Sequence, residues 1–562
     1  MIAIRSVLAP LLLIAVLVAV GYGAWQLTAY SWNAVVQYRS PFAGPLPTGG
    51  SGSALSRRVV LVVVDGLRLD ASRRMRTLNE LRQRGADFTA WTGEPSLSLP
   101  GWTVIASGAT QEISGVTTNW YKGAAKVDHL FAAAKRAGLR TAVAGSPDWG
   151  MLFGADLDAR ALVPDPHDYR SPAAAFKTSD DVVAGAMRLL ADDFAFVLIH
   201  LPSPDILGHG FGGASEPYAE AVRRVDAHLA ALWQAVDPAT TTLIVTADHG
   251  HTDRGGHGGW ETVVKQVPLV LAGAGVRAGV HGGDVRQADT APTVAALLGI
   301  GIPAHSQGRP LVEALEGETA GLARRWAEQQ RNLYAYIAGY LGNPRLAALF
   351  SNARLDALEN DPDGIASFAD DIADEYALGR EAKLERERRR RLPLAAGLAA
   401  IPLVYLALHS RKVLLLPAAV GAAAFLAVDY ALFAGRGYTY SLSVFNTEAL
   451  IRQVFNQRLI DAAIAICAGA LLTGLLAART RLTDAARAAL DVGVLAGYGI
   501  LLQVLYFYWQ WDVRFGWYLP DLRWGFKYYL DLLKLVPVGF LAPGYLLIAV
   551  AGRGIARALF GR

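Results

Sequence analysis

The sequence predicts an α/β protein in which a doubly wound, mostly parallel sheet is joined to an α-helical transmembrane domain. Short, nearly continuous apolar runs alternate with helical stretches in the first half of the chain, which is typical of strands buried on both faces of a parallel sheet. Long apolar spans dominate the second half and are long enough to cross a bilayer. The 562 residues suffice for more than one domain.

The predicted strands share β-branched residues and short length. They are 59–64, 141–145, 194–201, 241–247 and 268–273. Helical periodicity lies between them, as over Val127–Ala137 and Ser215–Ala235. Alternation of strands and helices predicts crossover connections and a doubly wound sheet. Ligands of such sheets bind at the carboxyl ends of the strands, so we expect a site there.

Six apolar spans are predicted to cross the membrane. The first lies between Arg5 and Arg39, and no charged residue lies in this interval. The others lie at about 392–409, 413–434, 459–478, 488–509 and 534–552. A cleaved signal peptide is the alternative for the first span. Because its apolar core is long and no convincing small-residue cleavage site follows, we predict an uncleaved anchor.

These patterns divide the chain into five predicted segments. They are a transmembrane signal anchor (1–30), a linker (31–56), an α/β domain (57–315), a helical connecting segment (316–391) and a C-terminal membrane domain with five transmembrane helices (392–562). Within the last segment, Asp429 and Asp461 are expected near the ends of spans, at the membrane surface.

Charge distribution predicts the orientation of the α/β domain. Arg5 precedes the first span and no basic residue closely follows it, which favours a cytoplasmic N-terminus and an external α/β domain. Arg388–Arg391 would then lie outside, against the rule, but long domains translocate largely regardless of charge. The Ala- and Arg-rich composition favours a bacterium. We therefore predict a multi-pass protein of the bacterial inner (plasma) membrane with an extracytoplasmic domain.

Composition limits the partners and the metal chemistry. The net charge of +4 gives no reason to expect nucleic acid as a partner. The single cysteine, Cys467, lies in an apolar run, which excludes disulfides and thiolate metal sites. A metal would therefore be held by Asp, His and a hydroxyl, a donor set that suits zinc or manganese.

Seven candidate site residues follow strand-like runs or lie in short loops. They are Asp65, Ser98, Asp205, His209, Asp248, His249 and His257. Attack on a phosphodiester needs an activated nucleophile and positive charge at the phosphoryl oxygens, and two divalent ions about 3.5–4 Å apart supply both. Ser98 is the predicted nucleophile. A serine hydroxyl is a poor nucleophile at its free pKa, so metal coordination is the activation that it requires.

We predict that the seven residues form two metal sites. The first zinc site consists of Asp65, Ser98, Asp248 and His249. The second consists of Asp205, His209 and His257. The predicted cofactors are thus two Zn²⁺ ions, with Mn²⁺ as an alternative. The second site keeps a coordination position open for the leaving group and the incoming alcohol or water.

Several segments resemble the alkaline phosphatase superfamily, most closely the glycosylphosphatidylinositol (GPI) ethanolamine phosphate transferases. They are PSLSLPGW around Ser98, GSPDWG (145–150), HLPSPDILGH (200–209), DHGHTDRGGHGG (248–259), PLVLAGAG (268–275) and QADTAPTVAALLGIGIP (287–303). The resemblance covers roughly residues 57–310. It implies an alkaline phosphatase-like catalytic domain, zinc at the seven ligands and a covalent phosphoserine at Ser98. Nucleotide pyrophosphatases are also similar, and their phosphoryl-oxygen donor matches Asn119 in SGVTTNWY.

Four residues depart from the transferase pattern, among them Leu97 and Leu99, which replace more polar neighbours of the nucleophile. Trp102 stands where the transferases tend to have histidine, and His251 replaces a usual methionine. We predict that both line the substrate pocket.

The sequence therefore predicts a membrane-bound, zinc-dependent phosphotransferase. It would move a phosphorylated head group, such as phosphoethanolamine, from a phospholipid donor to a glycan or lipid hydroxyl. The alternative is a phosphodiesterase or nucleotide pyrophosphatase, in which water replaces the acceptor. A sulfatase is excluded because the Ser98–Trp102 segment lacks the arginine that sulfatases require. A non-catalytic membrane protein is disfavoured because all seven candidate ligands are present.

Overall fold

The chain forms two compact units. The computed structural model describes residues 2–317, 321–356, 358, 361–409, 412–445 and 447–560. One unit, here called the α/β unit, comprises Val36–Lys383 and Gly516–Leu519. The other, the helical unit, comprises the rest of the described chain.

One eight-stranded sheet forms the centre of the α/β unit. Its strands are β1 (Arg58–Val64), β2 (Ala86–Trp91), β3 (Thr141–Gly145), β4 (Ala159–Leu162), β5 (Phe196–Leu201), β6 (Thr241–Thr246), β7 (Gln266–Gly273) and β8 (Val280–Arg286). The order is β4-β3-β5-β1-β6-β7-β2-β8. β7 is antiparallel to both of its neighbours, and the other neighbouring pairs are parallel. The prediction of a mostly parallel α/β sheet is confirmed.

Central strand β1 shows why these sequences form strands. Residues 59–64, a run of valines with one leucine, are all fully buried. β-Branched side chains pack well on a pleated surface, and a strand covered on both faces needs no polar alternation. β1 lies between β5 and β6 in parallel register, so the carboxyl ends of all three strands meet at one edge.

Helices precede the sheet, connect its strands and follow its last strand. They are α1 (Ile2–Val36), α2 (Leu69–Ser72), α3 (Arg76–Arg84), α4 (Ser98–Ser107), α5 (Gln111–Ser114), α6 (Leu130–Arg136), α7 (Pro147–Phe153), α8 (Pro172–Leu190), α9 (Ser203–Phe211), α10 (Glu216–Gln234), α11 (Thr262–Lys265), α12 (Thr290–Leu298), α13 (Leu322–Leu341), α14 (Pro344–Ala348) and α15 (Asn352–Asp356). Short 3₁₀ turns lie at Gly154–Asp156, Gln287–Asp289, Val312–Ala314 and Leu442–Val444. α8 packs against β3, β4 and β5, and α12 packs against β1. Both helical stretches predicted between strands form helices, α6 and α10.

Long apolar helices form the C-terminal part of the chain. They are α16 (Pro362–His409), α17 (Lys412–Gly435), α18 (Glu448–Leu476), α19 (Leu482–Trp511), α20 (Leu522–Phe540) and α21 (Ala542–Phe560). Among the described residues, five helices are long and apolar enough to cross a membrane, or six spans if α20 and α21 count as one. The predicted connecting segment 316–391 includes residues 318–320, 357, 359 and 360, which lie outside the described residues.

Two predicted segments differ from the helices observed. α16 continues through the predicted boundary between residues 391 and 392. The predicted span 534–552 is interrupted at Leu541, where α20 and α21 meet at a bend of 67°. The physical reason for the bend is Pro543, which has no N–H to continue the helical hydrogen bonds but is well tolerated in the first turn of a new helix.

A buried ionic network connects three helices of the helical unit. Arg458 on α18 is fully buried and contacts both Asp429 on α17 and Asp461 on its own helix. Lys534 on α20 lies 3.3 Å from Asp429 and 3.2 Å from Asp531. Asp429 and Asp461 are therefore buried among cations within the helical unit. Pairing offsets the cost of burying these charges.

Candidate metal centre

Three neighbouring strands deliver most of the candidate ligands to one edge of the sheet. Asp65 directly follows β1, while Asp248 and His249 follow β6. Asp205 and His209 lie on α9, which begins just after β5. Because β5, β1 and β6 are adjacent and parallel, their following residues converge, as the rule for doubly wound sheets predicts.

Two further segments complete the site from outside the sheet. Ser98 is the first residue of α4, and its neighbourhood is almost completely buried. His257 lies in the glycine-rich loop before α11, where its Nδ1 is 3.0 Å from the carbonyl oxygen of Ser96. A carbonyl can only accept, so Nδ1 carries the proton and Nε2 presents its lone pair to the site.

The first group of side chains surrounds a point between Asp65, Ser98, Asp248 and His249. His249 Nε2 lies 3.3 Å from Ser98 Oγ and 3.5 Å from a carboxylate oxygen of each aspartate. His249 Nδ1 donates to the Gly250 carbonyl oxygen, 3.1 Å away, which leaves Nε2 unprotonated. Asp65 Oδ1 is buried and has no hydrogen-bond partner among the described residues.

The second group consists of Asp205, His209 and His257, joined by His251. His257 Nε2 is 3.2 Å from His209 Nε2 and 3.7 Å from Asp205 Oδ1. His209 Nε2 is 3.4 Å from Asp205 Oδ2. Asp205 and His209 are four residues apart on α9, the spacing that places two side chains on one face of a helix.

Both groups have the dimensions of a zinc site. Zinc binds His nitrogen and carboxylate oxygen at about 2.0–2.2 Å, so the ligand atoms of a tetrahedral site lie about 3.3 Å apart. The separations of 3.2–3.7 Å in the two predicted ligand sets agree with this value. The unpartnered Asp65 Oδ1 also fits, because a buried carboxylate oxygen needs a cation or a hydrogen-bond donor.

Electrostatics favour cations in the same place. Burial, together with the Asp248 and Asp205 carboxylates, raises the pKa of Asp65 well above its usual range. Burial also raises the pKa of Asp248. For Asp205, burial acts in the same direction, but His209 and His251 outweigh it and hold the pKa well below its usual range. Divalent cations between these carboxylates would let all of them stay ionised.

A ring nitrogen of a histidine or tryptophan contacts each of the three carboxylates. His200 Nε2 lies 2.8 Å from Asp65 Oδ2, and Trp102 Nε1 donates to Asp248 Oδ2 at 2.8 Å. His251 Nε2 lies 2.7 Å from Asp205 Oδ1. Burial lowers the pKa of His200 to about 3 and that of His251 to about 4. Both imidazoles are therefore neutral at pH 7 and carry one N–H each.

The structure places Trp102 and His251 differently from the pocket-lining positions that the sequence suggested. Trp102 is only 3% exposed and stacks on Trp149, with ring centroids 4.9 Å apart. His251 is fully buried. Both rings contact carboxylates of the candidate metal centre, Trp102 that of Asp248 and His251 that of Asp205.

Asn119 lies beside the predicted nucleophile. Its Oδ1 accepts a hydrogen bond from the backbone N–H of Leu99 at 3.1 Å. Since that N–H can only donate, the contact fixes which end of the amide is oxygen, and Nδ2 remains as a donor next to the Ser98 segment.

Gly66 allows the close approach of the two ligand groups. Its φ of +69° lies in the left-handed region that favours glycine. A Cβ at this position would lie 2.9 Å from both Asp205 Cα and His251 Cδ2. A larger residue after Asp65 would therefore displace the second group of ligands.

His200 is a site residue that the sequence analysis missed. It is the one strongly polar side chain in the apolar run of β5. A polar residue within a buried strand could have indicated a site residue. The strand register explains its contact with Asp65. His200 pairs with Val63 on β1, and because side chains alternate along a strand, Val63 and Asp65 point to the same face of the sheet.

Comparisons with known proteins show what the α/β unit is similar to. Residues 59–290 match the family model described as type I phosphodiesterase / nucleotide pyrophosphatase. This match supports a domain that acts on phosphate esters. The resemblance to the GPI ethanolamine phosphate transferases is confirmed by the curated relatives found.

Two curated relatives are both named GPI ethanolamine phosphate transferase 1. The protein of Emericella nidulans is 27% identical over 351 residues, which cover 51% of this chain and 37% of the relative. The human protein is 25% identical over 330 residues, which cover 50% of this chain and 34% of the relative. The match thus spans little more than a third of these relatives' length.

A solved structure with a related arrangement is wild-type alkaline phosphatase PafA. It shares 13% sequence identity, and the alignment covers 49% of this chain and 100% of PafA with a TM-score of 0.38. A similarity this low supports no conclusion about function. The fold assignment here depends on the strand order and directions of the sheet.

Proposed function

We propose that this protein is a membrane-bound, two-zinc phosphotransferase. It moves a phosphorylated head group, such as phosphoethanolamine, from a phospholipid donor to a hydroxyl of a glycan or lipid acceptor. The observation that carries the proposal is the pair of ligand groups with zinc-like spacing, with Ser98 Oγ 3.3 Å from His249 Nε2 in the first of them. The names of the relatives supply the head group and the acceptor class.

The proposed reaction has two balanced displacements. Ser98 Oγ attacks the phosphorus, the bond to the diacylglycerol oxygen breaks, and the serine proton is passed to that oxygen. The acceptor hydroxyl then attacks the phosphoserine, regenerates the Ser98 side chain and returns a proton to it. Bound zinc would lower the pKa of the attacking hydroxyl and would neutralise the negative charge of the phosphoryl group.

Several residues would position the reacting groups in both steps. Asn119 Nδ2 lies beside the nucleophile and would donate to a phosphoryl oxygen as negative charge develops. Ser98 begins α4, so the backbone N–H groups of the first helical turn favour an anion at this place. His200 and Trp102 would keep Asp65 and Asp248 in the orientation that zinc requires.

The apolar helices suit a lipid donor. A catalytic domain on the same chain as membrane-spanning helices stays at the bilayer, so its substrate need not be carried through water. We infer a bacterial inner-membrane location with an extracytoplasmic catalytic domain. A variant carrying His281→Cys and Cys467→Ser tests this location, because its single thiol lies in the α/β unit. We expect a membrane-impermeant maleimide to label that thiol in intact spheroplasts, and protection of the thiol until lysis would contradict the location.

A phosphodiesterase is the second candidate, because the matched family model carries that description. The purified full-length protein in phosphatidylethanolamine vesicles, labelled in the ethanolamine carbon, separates the two functions. We expect labelled phosphoethanolamine to appear on an added alkyl mannoside, with release of diacylglycerol. Free phosphoethanolamine in equal amount with and without the mannoside would favour hydrolysis. Absence of diacylglycerol release would contradict both candidates.

A further inference from the structure

The contact between His251 and Asp205 differs from the contacts that the predicted ligand imidazoles make with carboxylates. His251 Nε2 lies 2.7 Å from Asp205 Oδ1. That distance is typical of a short hydrogen bond to a carboxylate. It is shorter than the separation of about 3.3 Å expected for two atoms that bind the same tetrahedral zinc. The predicted ligands His209 and His257 instead lie 3.4 and 3.7 Å from the nearest oxygens of Asp205.

The second nitrogen of His251 supports the same distinction. A zinc-binding imidazole uses one nitrogen for the metal and donates the N–H of the other to a partner. His249 and His257 do this through Nδ1, to the carbonyl oxygens of Gly250 and Ser96. His251 Nδ1 is buried without a hydrogen-bond partner among the described residues. A buried N–H without a partner is costly, so the proton belongs on Nε2, where Asp205 accepts it.

The backbone around His251 is shaped to hold this ring. A Cβ on Gly208 would lie 2.6 Å from His251 Cδ2 and 2.7 Å from Nε2, so only glycine fits there. Gly208 belongs to α9, the helix that carries Asp205 and His209. The imidazole is therefore fixed between the helix of the second ligand group and the turn after Asp65.

We propose that His251 is a positioning residue for the second metal, not a fourth ligand. Its Nε2–H donates to Asp205 Oδ1, which turns Oδ2 towards His209 and the metal. Asp205, His209 and His257 would then hold the second metal, and His251 would not occupy the position that the leaving oxygen or the acceptor hydroxyl needs. With His200 at Asp65 and Trp102 at Asp248, every carboxylate of the centre has one ring N–H donor.

Metal binding of the full-length protein in detergent tests this assignment without using activity. Zinc affinity would be measured by competition with a chromophoric chelator for wild type, His251→Leu and His251→Gln. We expect the Leu variant to bind the second ion about 10–100-fold more weakly. The Gln variant, whose amide N–H can donate to Asp205, should recover most of that loss. Affinity for the first ion should change little in both variants.

The visible absorption of the cobalt-loaded protein distinguishes a hydrogen-bond donor from a ligand. We expect the same second-site bands in wild type and His251→Gln, because the ligand atoms are unchanged. Altered band intensity in the Gln variant, together with the affinity of the Leu variant, would show that His251 is a ligand and overturn the proposal. The same substitution at exposed His281, His281→Leu, is the control and should leave both affinities unchanged.

The inference rests on the proposed two-metal centre, and the experiment separates the two. If wild type binds no second ion, the metal centre itself is wrong. If wild type binds two ions and His251→Leu binds them equally well, only the role of His251 is wrong. Should the Leu variant fail to fold, the Gln variant and its cobalt spectrum still decide between donor and ligand.

Discussion

Replacing Ser98 by alanine is expected to lower head-group transfer by about 10³-fold or more, since removal of a covalent nucleophile removes the main reaction path. The zinc content should remain close to two ions per chain, because Asp65, Asp248 and His249 still surround the first ion. The measurement is turnover of phosphatidylethanolamine labelled in its phosphate. Acid quenching should trap a labelled protein in wild type and none in Ser98→Ala.

Ser107→Ala is a matched control for this experiment. Ser107 lies at the other end of the same helix, is fully buried, and donates its hydroxyl to the carbonyl oxygen of Thr103. Its loss should reduce stability slightly and leave labelling of the protein intact. If Ser98→Ala kept more than about a tenth of wild-type turnover, or still became labelled, Ser98 would not be the nucleophile and the mechanism would need another acceptor of the phosphoryl group.

The second large effect is expected from Arg458→Met in the helical unit. This change leaves Asp429 and Asp461 buried with fewer cations. Removing one partner of a buried ion pair destabilises a protein by about 3–5 kcal/mol, because the remaining charge stays desolvated. Thermal unfolding in a fixed detergent, followed by the intrinsic fluorescence of the tryptophans, should show a clear loss of stability.

Two further variants show whether the loss comes from charge burial. Arg436 also pairs with Asp461, at 2.8 Å, but its side chain is 37% exposed. Arg436→Met should therefore lower the unfolding temperature much less than Arg458→Met does. Combining Arg458→Met with Asp429→Leu should restore part of the stability, because one of the two buried carboxylates that lose Arg458 is removed as well. Equal losses for both arginine variants would contradict the importance of this buried network.

The fold could be predicted from the sequence where strands are buried on both faces. β1, β3, β5, β6 and β7 match the predicted apolar runs. The others carry polar residues that obscure the apolar pattern. β2 contains the buried Asp87, whose carboxylate pairs with Arg82 at 3.0 Å and with Arg73 at 2.5 Å. β4 and β8 form the edges of the sheet and are partly exposed. The antiparallel direction of β7 depends on its connections and has no signature within the strand.

The candidate site could be predicted at the level of ligand types and order along the chain. The structure brings all seven residues into two adjacent groups, as the strand-end rule leads one to expect. The hydrogen-bond donors behind the carboxylates could not be predicted, because their contacts depend on register and side-chain packing. Trp102 and His251 are examples: as sequence departures they suggested substrate contact, whereas their rings face Asp248 and Asp205.

The most direct test of the two-metal centre is a crystal structure of the zinc-loaded protein with anomalous data collected at the zinc absorption edge. We expect two peaks about 3.5–4 Å apart. One should lie between Asp65, Ser98, Asp248 and His249, and the other between Asp205, His209 and His257. A map with no peak at either group of residues, or with a single zinc bound elsewhere, would contradict the metal centre and with it the proposed reaction.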